Sequence, residues 1–118
     1  MAALTLKPGS INLTELRRVA RGSDQVALAE GWRKGVEQSL AAVGKRLAAG
    51  EALYGINTGF GKLSKTRISI DELATLQLYL VRSHAAGVGT PLADSTVRLV
   101  LVLKAASLAR GYSGVRPL

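Results

Sequence analysis

The sequence predicts a mostly α-helical protein with short β-strands near its N-terminus, and three observations carry that prediction. The apolar mass is leucine, valine and alanine: 47% of the 118 residues are hydrophobic but only 4% are aromatic, which suits helices better than sheets. Long stretches repeat apolar residues every three or four positions, the period of one helix face. Helix-start signals stand where such stretches begin, since Asn12-Leu-Thr-Glu15 and Ser69-Ile-Asp-Glu72 both have the spacing of a capping box. By length the chain is one domain with a modest core.

Leu4 and Leu6 alternate with Thr5 and Lys7 ahead of Pro8-Gly9, which predicts a short strand and a turn. Asn12 is the expected N-cap of a short helix with Leu13, Leu16, Val19 and Ala20 on one face and Gly22 as its stop. Residues 24–28 read as a second strand pairing with the first. From Ala29 the pattern turns helical. Trp32, Val36, Leu40, Val43 and Leu47 form one stripe, with Arg33, Lys34, Glu37, Lys45 and Arg46 off it. Gly31, Gly35 and Gly44 each cost about 1 kcal/mol against alanine in a helix interior, so this helix depends on packing; Gly50 is its expected stop. Leu73, Leu76, Leu80 and His84 share a face of the next helix, which the segment Gly87-Val-Gly89-Thr-Pro91 breaks. A last helix is expected from Asp94 to Arg110. It is apolar nearly all round, as in Val97, Leu99, Val100, Leu101, Val102 and Leu103, and such a helix is normally surrounded by others. A chain of this length has few elements to surround it, so further chain or partner subunits are expected. The closing segment Arg110-Gly-Tyr-Ser-Gly-Val-Arg116-Pro-Leu118 reads as cut in the middle of a motif.

The net charge of +8 raises the question of nucleic acid or an anionic membrane. The basic residues are scattered, with no run beyond two, and the aromatic interleaving of single-strand binders is missing. No nucleic-acid partner is expected. The absence of cysteine excludes disulfides, thiolate metal sites and cysteine nucleophiles and is compatible with a cytoplasmic location. The N-terminus lacks the charged region and apolar core of a signal peptide. The longest apolar run, Leu99–Leu103, falls far short of the roughly 18 residues of a membrane span, so no membrane partner is expected. A single histidine makes no metal site of the usual kind.

Between the helix-patterned halves lies Ala52-Leu-Tyr-Gly-Ile-Asn-Thr-Gly-Phe-Gly-Lys62, which holds Gly55, Gly59 and Gly61. A phosphate-binding P-loop would need glycine at Ile56 and serine or threonine at Leu63. The dinucleotide pattern would need glycine at Ser64. Both nucleotide readings fail, leaving a shaped loop between helices. Tyr54 within it has an ordinary reading, a ring packed in a loop; a tyrosine titrates near pH 10 and is a poor base unless positive charge lowers it. His84 in the last turn of its helix has two readings. It is either a core or helix-end histidine satisfied by a carbonyl, or a neutral imidazole lining a pocket.

Three blocks, Tyr54-Gly-Ile-Asn-Thr-Gly-Phe-Gly61, Leu80-Val-Arg-Ser-His-Ala-Ala-Gly-Val-Gly89 and Arg110-Gly-Tyr-Ser-Gly-Val-Arg116, closely resemble the aromatic amino-acid ammonia-lyase and aminomutase family. The resemblance covers essentially the whole chain, in order and at family spacing. It implies an ammonia-lyase-like helical fold of which residues 1–118 are the N-terminal portion. It also implies a homotetrameric enzyme with sites built from several subunits. The family electrophile is 4-methylideneimidazol-5-one (MIO), formed from an internal Ala-Ser-Gly triad. That triad occurs nowhere in this chain, whose only Ser-Gly pair, Ser113-Gly114, matches a different block.

By this resemblance Tyr54 is the general base, and Gly55, Asn57, Thr58, Gly59 and Gly61 shape the loop. Ser83 and His84 match the selector of the substrate side chain. A Ser-His pair is similar to the members that convert L-histidine to trans-urocanate and ammonia, where the His84 counterpart contacts the substrate imidazole. Phenylalanine-specific members typically carry Phe-Leu and tyrosine-specific members His-Leu. Arg82 departs from the aliphatic residue usual in the histidine-specific members, and Arg82-Ser83-His84 is also similar to tyrosine aminomutases. Ala106 stands where the family often has asparagine. The expectation is a fragment of a histidine-deaminating lyase, inactive alone. The alternatives are part of a tyrosine or other aromatic lyase or 2,3-aminomutase, or a non-catalytic helical module binding a partner through residues 93–110.

Overall fold

Alternation at the N-terminus puts Leu4 and Leu6 on one face of strand β1 (Ala3–Leu6) and buries both, while Ala3 and Thr5 stay exposed. The computed structural model describes residues 3–117. After β1 the chain turns at Pro8-Gly9, closed by the Ser10 amide on the Lys7 carbonyl at 3.1 Å, and enters helix α1 (Leu13–Arg21). The capping box forms as its spacing predicts. The Glu15 amide donates to Asn12 Oδ1 at 3.0 Å, and the Asn12 amide donates to Glu15 Oε2 at 2.8 Å. The helix stops at Gly22, whose amide bonds to the Arg18 and Val19 carbonyls.

Helix α1 is the crossover to strand β2 (Gln25–Leu28), which pairs with β1 in parallel, Leu4 beside Val26 and Leu6 beside Leu28. Leu4, Leu6 and Val19 form the buried cluster, with Ile11, Leu99 and Val102 packed against it. The expected stripe of α1 holds at Leu16, Val19 and Ala20. It fails at Leu13, which is 72% exposed and takes no part in this small cluster. Arg18 grips Asp24 in a fork, Nη2 to Oδ1 at 2.7 Å and Nε to Oδ2 at 2.9 Å, tying α1 to the start of β2. The Asp24 side chain is only 7% exposed. The hydrogen bonds from Arg18, with its charge, hold the carboxyl below its usual value of 3.8 against the opposing effect of desolvation.

Helix α2 (Trp32–Ala48) presents the predicted stripe, with Val36 buried and Trp32, Leu40, Val43 and Leu47 half-buried. The backbones of Gly35 and Gly111 meet directly, and the steric demand falls on Gly111: a side chain there would lie 2.5 Å from the Gly35 carbonyl carbon, whereas one on Gly35 would meet nothing closer than 3.9 Å. The Gly114 amide adds a bond to Ser39 Oγ at 2.9 Å.

Helix α3 (Leu73–His84) has Leu73, Leu76 and Leu80 half-buried, as the spacing predicts, but His84, expected on the same apolar face, is exposed. Its start differs from the expected capping box. Ser69 Oγ bonds to the Glu72 carboxylate at 2.9 Å instead of to a backbone amide, and residues Ile70–Glu72 form a 3-10 turn before the helix. The two side chains satisfy each other, which removes the groups that would have capped the helix.

The last helix, α4 (Asp94–Leu108), packs along α1. Arg98 Nη2 donates to the Ala20 carbonyl at 2.8 Å, at the helix end where a cation is favoured. Leu99 and Val102 face the core and Ala106 is buried, whereas Val97, Val100, Leu101 and Leu103 are exposed. The surrounding that so apolar a helix calls for is therefore supplied on one side only.

Met1–Val43 with Pro91–Leu118 form one compact unit and Gly44–Thr90 another. The first holds every buried apolar residue found among those described: Leu4, Leu6, Val19, Val36, Ala106 and Ala109. In the second the one buried described residue is Thr58.

Candidate active-site loop

The glycine-rich stretch in the Gly44–Thr90 unit is shaped by hydrogen bonds instead of a core. The chain turns tightly through Tyr54-Gly55-Ile56-Asn57, with the Ile56 and Asn57 amides on the Leu53 carbonyl at 3.0 and 3.1 Å. The Asn57 side chain folds back onto the approach to this turn. Its Oδ1 accepts from the Leu53 amide at 2.7 Å and its Nδ2 donates to the Glu51 carbonyl at 2.8 Å. An asparagine amide offers a donor and an acceptor on one rigid group, and both are used here. Thr58 Oγ1, 2% exposed as a residue, accepts from the Gly55 amide at 3.2 Å and donates to the Gly59 carbonyl at 3.0 Å.

The returning limb closes the loop. Thr58 and Arg67 form an antiparallel bridge, with Gly59 N on Thr66 O at 3.1 Å and Ile68 N on Asn57 O at 2.9 Å. Arg67 Nη1 donates to the Gly50 carbonyl at 2.8 Å, tying this limb to the end of α2. Two glycines sit hard against neighbouring atoms. Gly55 takes φ of +73°, and a side chain there would sit 3.2 Å from Phe60 Cε1. A side chain on Gly59 would lie 2.6 Å from Leu63 Cβ and 2.7 Å from its carbonyl oxygen. Gly61 opens the 3-10 turn Gly61–Leu63.

Tyr54 stands on the outside of this frame, 66% exposed, its ring edge-on to Phe60 with centroids 5.8 Å apart and planes at 73°. Its hydroxyl has no hydrogen-bond partner among the described residues. The cation–aromatic contacts found lie elsewhere, Arg33 over Trp32 at 4.9 Å and Arg110 over Tyr112 at 5.5 Å.

Ser83 and His84 occupy the exposed last turn of α3. Ser83 Oγ donates to the Leu80 carbonyl at 3.0 Å, His84 Nδ1 lies 2.7 Å from the same oxygen, and the two side chains are 3.2 Å apart. The reading of His84 as satisfied by a helix carbonyl is thus true of one ring nitrogen and leaves the other free. Hydrogen bonds gather the loop residues Gly55, Asn57, Thr58 and Gly59 into one frame and Ser83 with His84 into another. Among the described residues none runs between the two frames.

Two cavities are lined by residues of the unit of Met1–Val43 with Pro91–Leu118. One of about 390 Å³ is lined by residues including Lys7, Glu30, Trp32, Arg110 and Tyr112. A more apolar one of about 250 Å³ is lined by residues including Leu6, Val26, Leu28, Leu101 and Ala105. Among the described residues no group of three or more potential ligands could hold a metal, and no helix is long and apolar enough to cross a membrane. Sequence reasoning missed Arg67 and Arg98. Both bond to backbone carbonyls distant in the chain, a kind of contact for which spacing gives no signal.

Residues 11–118 match the family of aromatic amino acid lyases, and the chain belongs to that family. It is 51% identical over 116 residues to the histidine ammonia-lyase of Vibrio parahaemolyticus, a match covering 98% of this chain and 23% of that protein. Among solved structures it resembles histidine ammonia-lyase from Trypanosoma cruzi, with a TM-score of 0.81 and 31% identity over 98% of this chain and 22% of the other. It also resembles tyrosine aminomutase from Streptomyces globisporus, with a TM-score of 0.87 and 26% identity over 98% and 22%. The ammonia-lyase-like helical fold with its short N-terminal strands is therefore the fold of this chain. The chain spans less than a quarter of the length of these relatives.

Proposed function

We propose that this chain is the N-terminal portion of a histidine ammonia-lyase that, when complete, converts L-histidine to trans-urocanate and ammonia. The observation that carries this reading is the 51% identity to a histidine ammonia-lyase across 98% of the chain. In this reading Tyr54 is the base that accepts a proton during elimination. The bonded frame of Gly55, Asn57, Thr58, Gly59 and Gly61 presents its phenol, and Ser83 with His84 meets the substrate side chain. The complete enzyme is a cytoplasmic homotetramer.

The MIO electrophile would form from an Ala-Ser-Gly triad, and this sequence contains none. The residues present therefore do not fit that group, and the chemistry assigned to this chain stops at a base and a selector. The purified chain is expected to yield no urocanate from L-histidine, followed by near-ultraviolet absorbance. Urocanate formed with no other polypeptide present would overturn the proposal. The runner-up is a tyrosine-acting lyase or 2,3-aminomutase, favoured by the Arg82-Ser83-His84 run and by the likeness to tyrosine aminomutase at 26% identity. A clear preference of the complete enzyme for tyrosine over histidine would select it.

A further inference from the structure

We infer that Ser83 is a positioning residue. Together with the Leu80 carbonyl it holds the His84 imidazole in its Nδ1–H tautomer, leaving Nε2 as a hydrogen-bond acceptor for the substrate side chain. The use of Nε2 by a substrate rests on the reading of His84 as selector; the tautomer does not.

A carbonyl oxygen can only accept, so an imidazole nitrogen 2.7 Å from the Leu80 oxygen must carry the proton. A bare Nδ1 would place its lone pair against those of the carbonyl. The Ser83 hydroxyl fits that tautomer. It lies 3.0 Å from the Leu80 oxygen and 3.2 Å from Nδ1, and with Nδ1 protonated its one proton goes to the carbonyl while a lone pair turns toward Nδ1. Two oxygens therefore face Nδ1 and neither offers it a proton. A neutral imidazole with Nδ1 protonated has an unprotonated Nε2, and His84 is exposed, so that nitrogen is accessible. Such an acceptor matches a side chain with an N–H or O–H to donate, as imidazole and phenol have and a plain phenyl ring lacks. A site that hydrogen-bonds its substrate rejects the analogue without the donor, because its own polar group is then left unpaired.

His84 is the only histidine, so the 15N-labelled chain gives a single imidazole signal set. A long-range 1H–15N correlation at a pH where the ring is neutral is expected to show Nδ1 protonated as the major form. Ser83→Ala should shift the population toward Nε2–H, and Ser83→Thr, which keeps the hydroxyl, should restore it. A major Nε2–H form in the unaltered chain, the form an unconstrained imidazole prefers, would overturn the inference. So would a Ser83→Ala spectrum identical to the parent. The measurement needs no turnover, so a failure of the lyase reading, seen as a complete enzyme that makes no urocanate, is a separate result.

Discussion

The phenol of Tyr54 projects from a turn in which the neighbouring polar groups are already bonded to one another. The Asn57 amide and the Thr58 hydroxyl are spent on backbone, so neither competes for the tyrosine hydroxyl, and the ring is held at its edge by Phe60. In the complete enzyme Tyr54→Phe is expected to lower kcat by about 10²–10⁴, the usual range for losing a general base, with an unchanged circular dichroism spectrum. A loss below tenfold would remove Tyr54 from the chemistry. Asp24 makes the second residue-scale prediction. Its carboxyl has a lowered value in the folded chain, so the stability it confers is complete above its ordinary value of 3.8. That stability is lost as pH falls below 3.8, through the lower folded value. Urea midpoints measured from neutral to acid pH should fall on the acid side, and Asp24→Asn should flatten part of that fall.

Among the elements, the loop between α2 and α3 is sterically constrained at Gly59. Gly59→Ala would bring a methyl group to 2.6 Å from Leu63 Cβ and 2.7 Å from the Leu63 carbonyl oxygen. One of these is backbone and cannot swing aside, so a cost of about 1–3 kcal/mol is expected, as for other overpacked sites. Urea denaturation measures it, and a change under about 0.5 kcal/mol, typical of neutral surface sites, would mean that the turn yields. The two capping-box spacings show how far local pattern reaches. Asn12 and Glu15 form the box because both side chains find the backbone amides they face. Ser69 and Glu72 have the same spacing, yet the hydroxyl bonds to the carboxylate and a 3-10 turn results. The spacing makes the pair possible, and which partner each group takes is settled by the local backbone.

Over the whole molecule, apolar burial is uneven. The β1–α1–β2 region with α4 holds the Leu4, Leu6 and Val19 cluster, while the Gly44–Thr90 unit relies on hydrogen bonds around Thr58. Backbone bonds without apolar cover open easily. Amide hydrogen exchange is therefore expected to be slow for Leu6 and Val19 and markedly faster for Ile56, Gly59 and Ile68. Equal protection in both units would show cooperativity that the buried contacts do not explain. The exposed Val97, Val100, Leu101 and Leu103 on α4 agree with a chain that spans 23% of a longer relative.

The sequence alone determined what depends on neighbours within a few residues. That covers the strand alternation at Leu4 and Leu6, the stripe from Trp32 to Leu47, the Asn12 cap, the helix stops, and the motif blocks around Tyr54 and His84 that mark the family. These follow from fixed periods and from hydrogen bonds that close over three or four positions. Tertiary structure decided what joins distant residues: the parallel pairing of β1 with β2, Arg98 on the Ala20 carbonyl, Arg67 on the Gly50 carbonyl, and the backbone contact of Gly35 with Gly111. It also decided that Leu13 escapes the core and that His84 spends Nδ1 on Leu80. Such pairings depend on where folding brings each group, and a carbonyl that accepts an arginine looks, in the sequence, like any other.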